Sequence, residues 1–368
     1  MSKYVPAIVV VAYNRPISLK RLLQSLNDAA YPMQGIPLVL SLDKSGNTEV
    51  ESVARSFEWK YGEKRLITHS ERLGLRLHVL SCGDLSEEYG SLIMLEDDLF
   101  VSPAFYLFAS DALSFASENK RIAGISLYSH AFNVFARLPF TPIDDGYSNW
   151  YFRFASSWGQ AWTKEQWRGF RDWVSSMEGK DLPLKTLPSD IARWGNESWL
   201  KYAMAYLEEK ELFYLYPRIS LTTNFFDQGE HAKNSVTDLQ VPLSGIAHRD
   251  YLFSNPEDSR AIYDPYFENM GLDYPCDLYG LKYRDGNIKG KFYSTLSLPH
   301  ISLKSYGLSL KPMEANIHFS MPGNEIKLYD SSSAAPAGRS SKGILEEYFY
   351  PGLNKRKLLN LLQHRLFK

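Results

Sequence analysis

Four short apolar runs, each closing on polar residues and each separated from the next by a segment of helical periodicity, leave this chain few ways to fold. Residues 7–12 (AIVVVA) are continuous and largely β-branched, as in a strand buried on both faces of a parallel sheet. Residues 36–43 (IPLVLSLD), 65–70 (RLITHS) and 91–98 (SLIMLEDD) repeat the pattern. Between them Ile17, Leu19, Leu22, Leu23 and Leu26 recur at helical spacing, 49–61 reads as a second helix and 75–89 as a third. Such alternation predicts an α/β fold with a mostly parallel sheet flanked by helices. In that class ligands bind beyond the carboxyl ends of the strands. Asn14, Asp43 and the triplet Glu96, Asp97, Asp98 all fall at strand ends, so one sheet edge should gather them.

Further along, 103–120 and 189–210 read as helices, and 121–128 and 212–225 as strands. Beyond about Asp238 the texture changes to short alternating segments cut by Tyr, Gly and Pro. The expected organisation is an α/β domain over 1–238, a smaller β-rich appendage over 239–335, and a linker with a basic amphipathic helix over 336–368. The N-terminal apolar run is short and ends in turn residues, so it reads as a buried strand and not a signal peptide. No apolar run approaches the roughly 18 residues of a membrane span. Cys82 and Cys276 show neither metal nor redox spacing, and the reducing cytoplasm is the expected location. A net charge of −1 argues against nucleic acid as a partner. The 24 Tyr and 8 Trp suit large cores and sugar recognition equally.

The acidic triplet is the sharpest chemical signal. Carboxylates at a strand end can hold a hard divalent metal, act in acid–base chemistry, or decorate a solvated turn. Leu99, Phe100 and Val101 follow at once, which is poor company for a solvated turn. Like charges so close are costly to bury without a cation. Mg²⁺ or Mn²⁺ takes oxygen ligands, commonly one or two carboxylates with substrate phosphates.

These features together resemble a GT-A glycosyltransferase. "EDDLFVSPAFY" is similar to the acidic motif of the N-acetylglucosaminyltransferase I family and its bacterial surface-polysaccharide relatives. "SSWGQAWTKEQW" and "LYPRISLTTNFFDQGEH" resemble later stretches of that family, and the likeness spans about residues 5–235. The resemblance implies a nucleotide-diphosphate sugar donor, a UDP-sugar, an inverting transfer, and Mn²⁺ or Mg²⁺ as cofactor. It implies that Asp98 ligates the metal and that Asp97 and Glu96 serve the donor's ribose and sugar or the metal's waters. Asp43 would meet the nucleoside, and Arg15 the pyrophosphate; a surface cation near a helix start is the plainer reading of Arg15. Arg72 could touch phosphate or form a surface ion pair. His231 could complete the metal site or be structural.

In the resembled family an acid sits immediately before a helix Trp. Here Ser198 takes that place before Trp199, so Glu197 is the first choice of general base and Asp190 the second; an acid in the first turn behind an Asn196 cap is the bland alternative for Glu197. Trp158, Gly159 and Trp162 are expected on the acceptor side, although Trp158 and Trp162, four apart, could equally share a helix face in the core. At the C-terminus, Leu358, Leu361, Leu362 and Leu366 lie among Lys355, Arg356, Lys357, Arg365 and Lys368. That helix could dock on the protein body or rest peripherally on the inner face of an anionic membrane, near a glycan or lipid-linked acceptor. Two other functions compete. A sugar nucleotidyltransferase would prefer a Gly-rich loop after the first strand, which "VAYNRPIS" lacks. A carbohydrate-binding protein that kept the fold has no need of all three acids.

Overall fold

A computed structural model of the chain describes residues 3–225, 239–247, 250–335 and 343–351. It divides into two compact units, Met1–Ala131 with Asp144–Phe267, and Phe132–Ile143 with Glu268–Lys368.

The first unit opens with β1 (Ala7–Ala12), α1 (Pro16–Asp28), β2 (Leu38–Leu42), α2 (Thr48–Ser56), β3 (Lys64–Thr68), α3 (Leu75–Asp84), α4 (Ser86–Tyr89), β4 (Ser91–Glu96), β5 (Leu99–Val101), α5 (Phe105–Ala116) and β6 (Ile122–Ser126). A hairpin of β7 (Phe132–Asn133) and β8 (Leu138–Pro139) belongs to the second unit. The first resumes with β9 (Asn149–Phe152), β10 (Gln160–Thr163), α6 (Lys164–Ser176), α7 (Ser189–Ala192), α8 (Trp199–Glu209), β11 (Phe213–Pro217), β12 (Thr222–Asn224) and β13 (Ile262–Tyr263). Nine strands form one sheet in the order β13-β9-β11-β6-β10-β4-β1-β2-β3. β10 is antiparallel to both its neighbours, and β9 to β11; hence β1, β2, β3, β4, β6 and β11 run one way and β9, β10 and β13 the other.

Every residue of β1 is buried, because helices cover both faces of the sheet. Pro16 starts α1, where its missing N–H costs nothing. Leu19, Leu22, Leu23 and Leu26 then face the core; Ile17 lies off that stripe and is 78% exposed.

The expected strands and helices of the first hundred residues are present, with shifted ends. The helix expected to 61 stops at Ser56, and Trp59 and Tyr61 instead pack on Tyr31, with the Trp59 indole N–H donating to the Ile36 carbonyl. The helix over 189–210 is two helices. Ser198, not Asn196, caps the second by accepting the Lys201 N–H. The strand over 212–225 is likewise two, β11 and β12.

The second unit holds β14 (Cys276–Asp277), α9 (Leu281–Arg284), β15 (Lys291–Ser294), β16 (Ile301–Tyr306), α10 (Ala315–His318), β17 (Ile326–Asp330) and α11 (Ile344–Phe349). Its four-stranded sheet, β14-β15-β17-β16, packs Leu278, Met313, Ile326 and Leu328 into a core of its own. This unit is β-rich and, apart from Phe132–Ile143, runs from Glu268. Residues up to Phe267 stay with the large sheet because β13 pairs with β9 and the Ser254 N–H bonds the Asn149 side chain. Residues 352–368, with the amphipathic leucines, lie outside the described residues.

Candidate active site

The acidic triplet is held between two strands. β4 ends at Glu96, the chain turns at Asp97 and Asp98, and β5 leaves to pair antiparallel with β12. The apolar residues on both sides of the acids are thus buried for separate reasons, one run in the large sheet and one in a two-stranded ribbon. The Asp97 N–H donates to the Val11 carbonyl (3.1 Å), and the Phe225 N–H donates to the Asp98 carbonyl (3.2 Å).

Arg15, from the turn after β1, reaches across to both aspartates. Its Nη1 donates to Asp98 Oδ2 at 2.8 Å and its Nη2 to Asp97 Oδ1. Asp97 Oδ2 also accepts the Tyr13 N–H at 3.3 Å. Asp97 and Asp98 are buried and Glu96 is half-buried. One guanidinium therefore faces three carboxylates. Burial and the Asp98 charge push Glu96 well above the usual carboxylate range, against the pull of Arg15. Burial also pushes Asp97 up to about 6, although Arg15 opposes it. The cluster is short of positive charge.

Beside it, at the ends of β1, β2 and β3, lies an open polar cleft of about 400 Å³. Tyr13, Asp43, Lys44, Asn47, Thr68 and His69 are among its lining residues. Tyr13 belongs to both places: its side of the turn lines the cleft while its N–H holds Asp97. Asp43 Oδ1 accepts the N–H groups of Lys44 and Leu73, both at 2.8 Å, and Oδ2 accepts that of Gly74 at 2.9 Å. Burial would raise this carboxyl, but those three donors hold it below its usual value. Arg72 stands over the Tyr13 ring, 5.0 Å from its centroid, and Asn14 is exposed on the same turn.

Under the cleft, Ser41 Oγ lies 2.8 Å from His78 Nε2 and 3.4 Å from His69 Nε2. Burial lowers His78 to about 4, so the ring is neutral in the fold. The unfolded ring takes its proton near pH 6.5. Stability from this group is therefore full above about pH 6.5 and drains as pH falls toward about 4. Melting temperatures of His78→Gln should lose part of the wild-type slope across that window. An unchanged slope would show that His78 is not the titrating group.

The remaining candidates are scattered. Gly159 has φ +92°, and a Cβ there would sit 2.8 Å from Thr222 Cγ2. Its neighbour Trp158 is half-buried in a loop, its carbonyl accepting the Thr222 hydroxyl at 2.6 Å. Gly159→Ala should cost about 1–3 kcal/mol through strained backbone and this contact; a denaturant midpoint equal to wild type would contradict it. Trp162 is not beside Trp158 on a helix. It lies on β10, fully buried against Trp167, Phe170 and Tyr214. Glu197 is exposed in the loop before α8, and Asp190 on α7 is paired with Arg193. The structure thus gathers Arg15, Glu96, Asp97 and Asp98 with the Asp43 cleft, and leaves Glu197 and Asp190 on another segment. His231 lies outside the described residues. Tyr13, Lys44 and His69 join the expected residues in lining the cleft; in the sequence only the turn "KSGN" and the end of the third strand point to them.

Among the described residues no group of three or more His, Cys, Asp or Glu side chains is placed to enclose a metal ion. One feature does suit a divalent cation. Asp98 Oδ1 is buried and has no hydrogen-bond partner. Magnesium-type sites need no more than one or two carboxylates when phosphates complete the shell.

No family model and no curated protein matches the chain. Its fold is similar to parts of several solved structures. One is a mannosyltransferase, PcManGT from Pyrobaculum calidifontis in complex with GDP-Man and Mn²⁺, at 14% identity and TM-score 0.32, covering 44% of this chain and 46% of that one. Another is GalNAc-T7 with UDP, GalNAc and Mn²⁺, at 14% identity and TM-score 0.40, covering 59% of this chain and 43% of that one. A third is TarS of S. aureus, at 13% identity and TM-score 0.35, covering 58% and 37%. The matched parts span less than half of each of these three proteins.

Proposed function

We propose that the chain is a metal-dependent GT-A glycosyltransferase. It moves a sugar from a nucleotide-diphosphate donor, a UDP-sugar, to a glycan or lipid-linked acceptor in bacterial surface-polysaccharide synthesis, with inversion. One observation carries the reading. A polar cleft at the carboxyl ends of β1–β3 adjoins, through Tyr13, a cluster of three carboxylates that holds a single guanidinium. In this reading the nucleoside takes the cleft beside Asp43 and its diphosphate extends toward the acidic turn.

Asp98 would hold Mn²⁺ or Mg²⁺ through its unpartnered oxygen, and such an ion supplies positive charge to a departing nucleoside diphosphate. Glu96 and Asp97 position the donor's ribose and sugar. Arg15 carries a charge suited to the pyrophosphate, and Trp158 lines the acceptor side. Glu197, or failing that Asp190, takes the acceptor hydroxyl's proton as the new bond forms. A link in the structure favours Glu197. Arg76 Nη1 donates to the Asn196 carbonyl at 2.8 Å, and α3, which bears Arg76, begins just after the Gly74 whose N–H holds Asp43.

Nucleoside diphosphates with Mn²⁺ provide the test. UDP should raise the melting temperature by mass action and UDP-sugars should be hydrolysed slowly without acceptor. If no nucleoside diphosphate shifts the melt, the reading fails. No helix among the described residues is long and apolar enough to cross a membrane. The cations and leucines of 353–368 are the ground for proposing peripheral membrane contact through that segment. Removing those residues should weaken sedimentation with anionic vesicles at low salt and spare transfer to a soluble acceptor. Intact protein that does not sediment at all would end that part.

A further inference from the structure

Arg15 holds the same carboxylate whose free oxygen suits a divalent ion. Its guanidinium spans Asp97 and Asp98, from a residue that ends one strand's turn to two that end another's. Asp98 gives Oδ2 to Arg15 and keeps Oδ1 buried without a partner. The arginine side chain is 27% exposed, so solvent and the donor's phosphates can reach it, whereas the Asp98 side chain is 10% exposed. An ion bound at Asp98 Oδ1 would lie beside the guanidinium that already holds Oδ2 of the same carboxylate. The two like charges would repel each other, so each weakens the other's hold on Asp98.

We propose that Arg15 is an internal latch on the metal site: it holds Asp97 and Asp98 while the cleft is empty, and gives up Asp98 when a nucleoside diphosphate draws the guanidinium away. The inference rests on the glycosyltransferase reading above and adds an order to it. Arginine is suited to the exchange, because the same planar fork fits a carboxylate pair or a phosphate bidentately. Whichever ligand arrives first bears the cost of opening the ion pair, and the second finds it open. Metal and nucleotide binding are then cooperative, and reciprocally so. The latch also keeps buried like charges compensated between turnovers.

The test is Mn²⁺ binding measured with and without UDP, by calorimetry and by the melting-temperature shift that Mn²⁺ alone produces. Arg15→Ala should bind Mn²⁺ alone about tenfold or more tighter than wild type, and the factor by which UDP tightens Mn²⁺ binding should fall by a similar amount, within the usual range of coupling. Arg15→Lys keeps the charge without the fork and should fall between the two. It also guards against Arg15→Ala failing to fold with two uncompensated carboxylates. If Arg15→Ala or Arg15→Lys binds Mn²⁺ alone no tighter than wild type, while wild type still binds UDP with Mn²⁺, the latch is wrong and the glycosyltransferase reading stands. If wild type binds UDP equally in Mn²⁺ and in EDTA, the metal-dependent reading itself falls, and the latch with it.

Discussion

Asp98→Ala should remove the metal-dependent part of UDP affinity and slow transfer by roughly 10²–10³-fold, the span for losing one preorganised stabiliser of developing charge. The expectation rests on the unpartnered Asp98 Oδ1 at the turn between β4 and β5. The fold should survive. Arg15 keeps its bond to Asp97, and the main-chain bond from Phe225 to the Asp98 carbonyl does not involve the side chain. Asp98→Asn separates charge from shape, since it preserves the volume and loses the anion. Calorimetry with UDP, in Mn²⁺ and in EDTA, reads the effect directly. Unchanged affinity in Mn²⁺ would take Asp98 out of the metal site.

Glu197→Gln should leave donor binding intact and slow transfer by roughly 10²–10⁴-fold, as loss of a general base does. The exposed carboxylate stands just before the Ser198 cap of α8, on the loop that Arg76 ties to α3 and hence to the Asp43 wall of the cleft. Asp190 is a poorer candidate in this structure, because Arg193 already engages it. Single-turnover transfer, with UDP binding measured in parallel, distinguishes a base from a binding residue. A normal rate for Glu197→Gln beside a dead Asp190→Asn would reverse the two roles.

Much of the framework was legible in the chain because its signals are local. The β-branched run of 7–12 and the leucines at 19, 22, 23 and 26 state their own period, and the parallel sheet follows from their alternation. The position of the acidic triplet was legible in the same way: the buried run before it is β4, which ends at Glu96. Other features were invisible for an equally physical reason. Trp158 and Trp162, at helical spacing, could not reveal that β10 runs antiparallel between β4 and β6 and buries Trp162 in the core. The boundary near 238 followed a change in composition, whereas the fold assigns residues through Phe267 to the first unit by pairing β13 with β9. Likewise Arg15 read as a surface cation or a phosphate contact. Its bond to Asp98, 83 residues away, exists because β1 and β4 are neighbours in the sheet. Local periodicity and end chemistry were settled by the sequence itself. Which charge meets which, and which aromatic is core and which is wall, was decided when strands distant in sequence came to lie side by side.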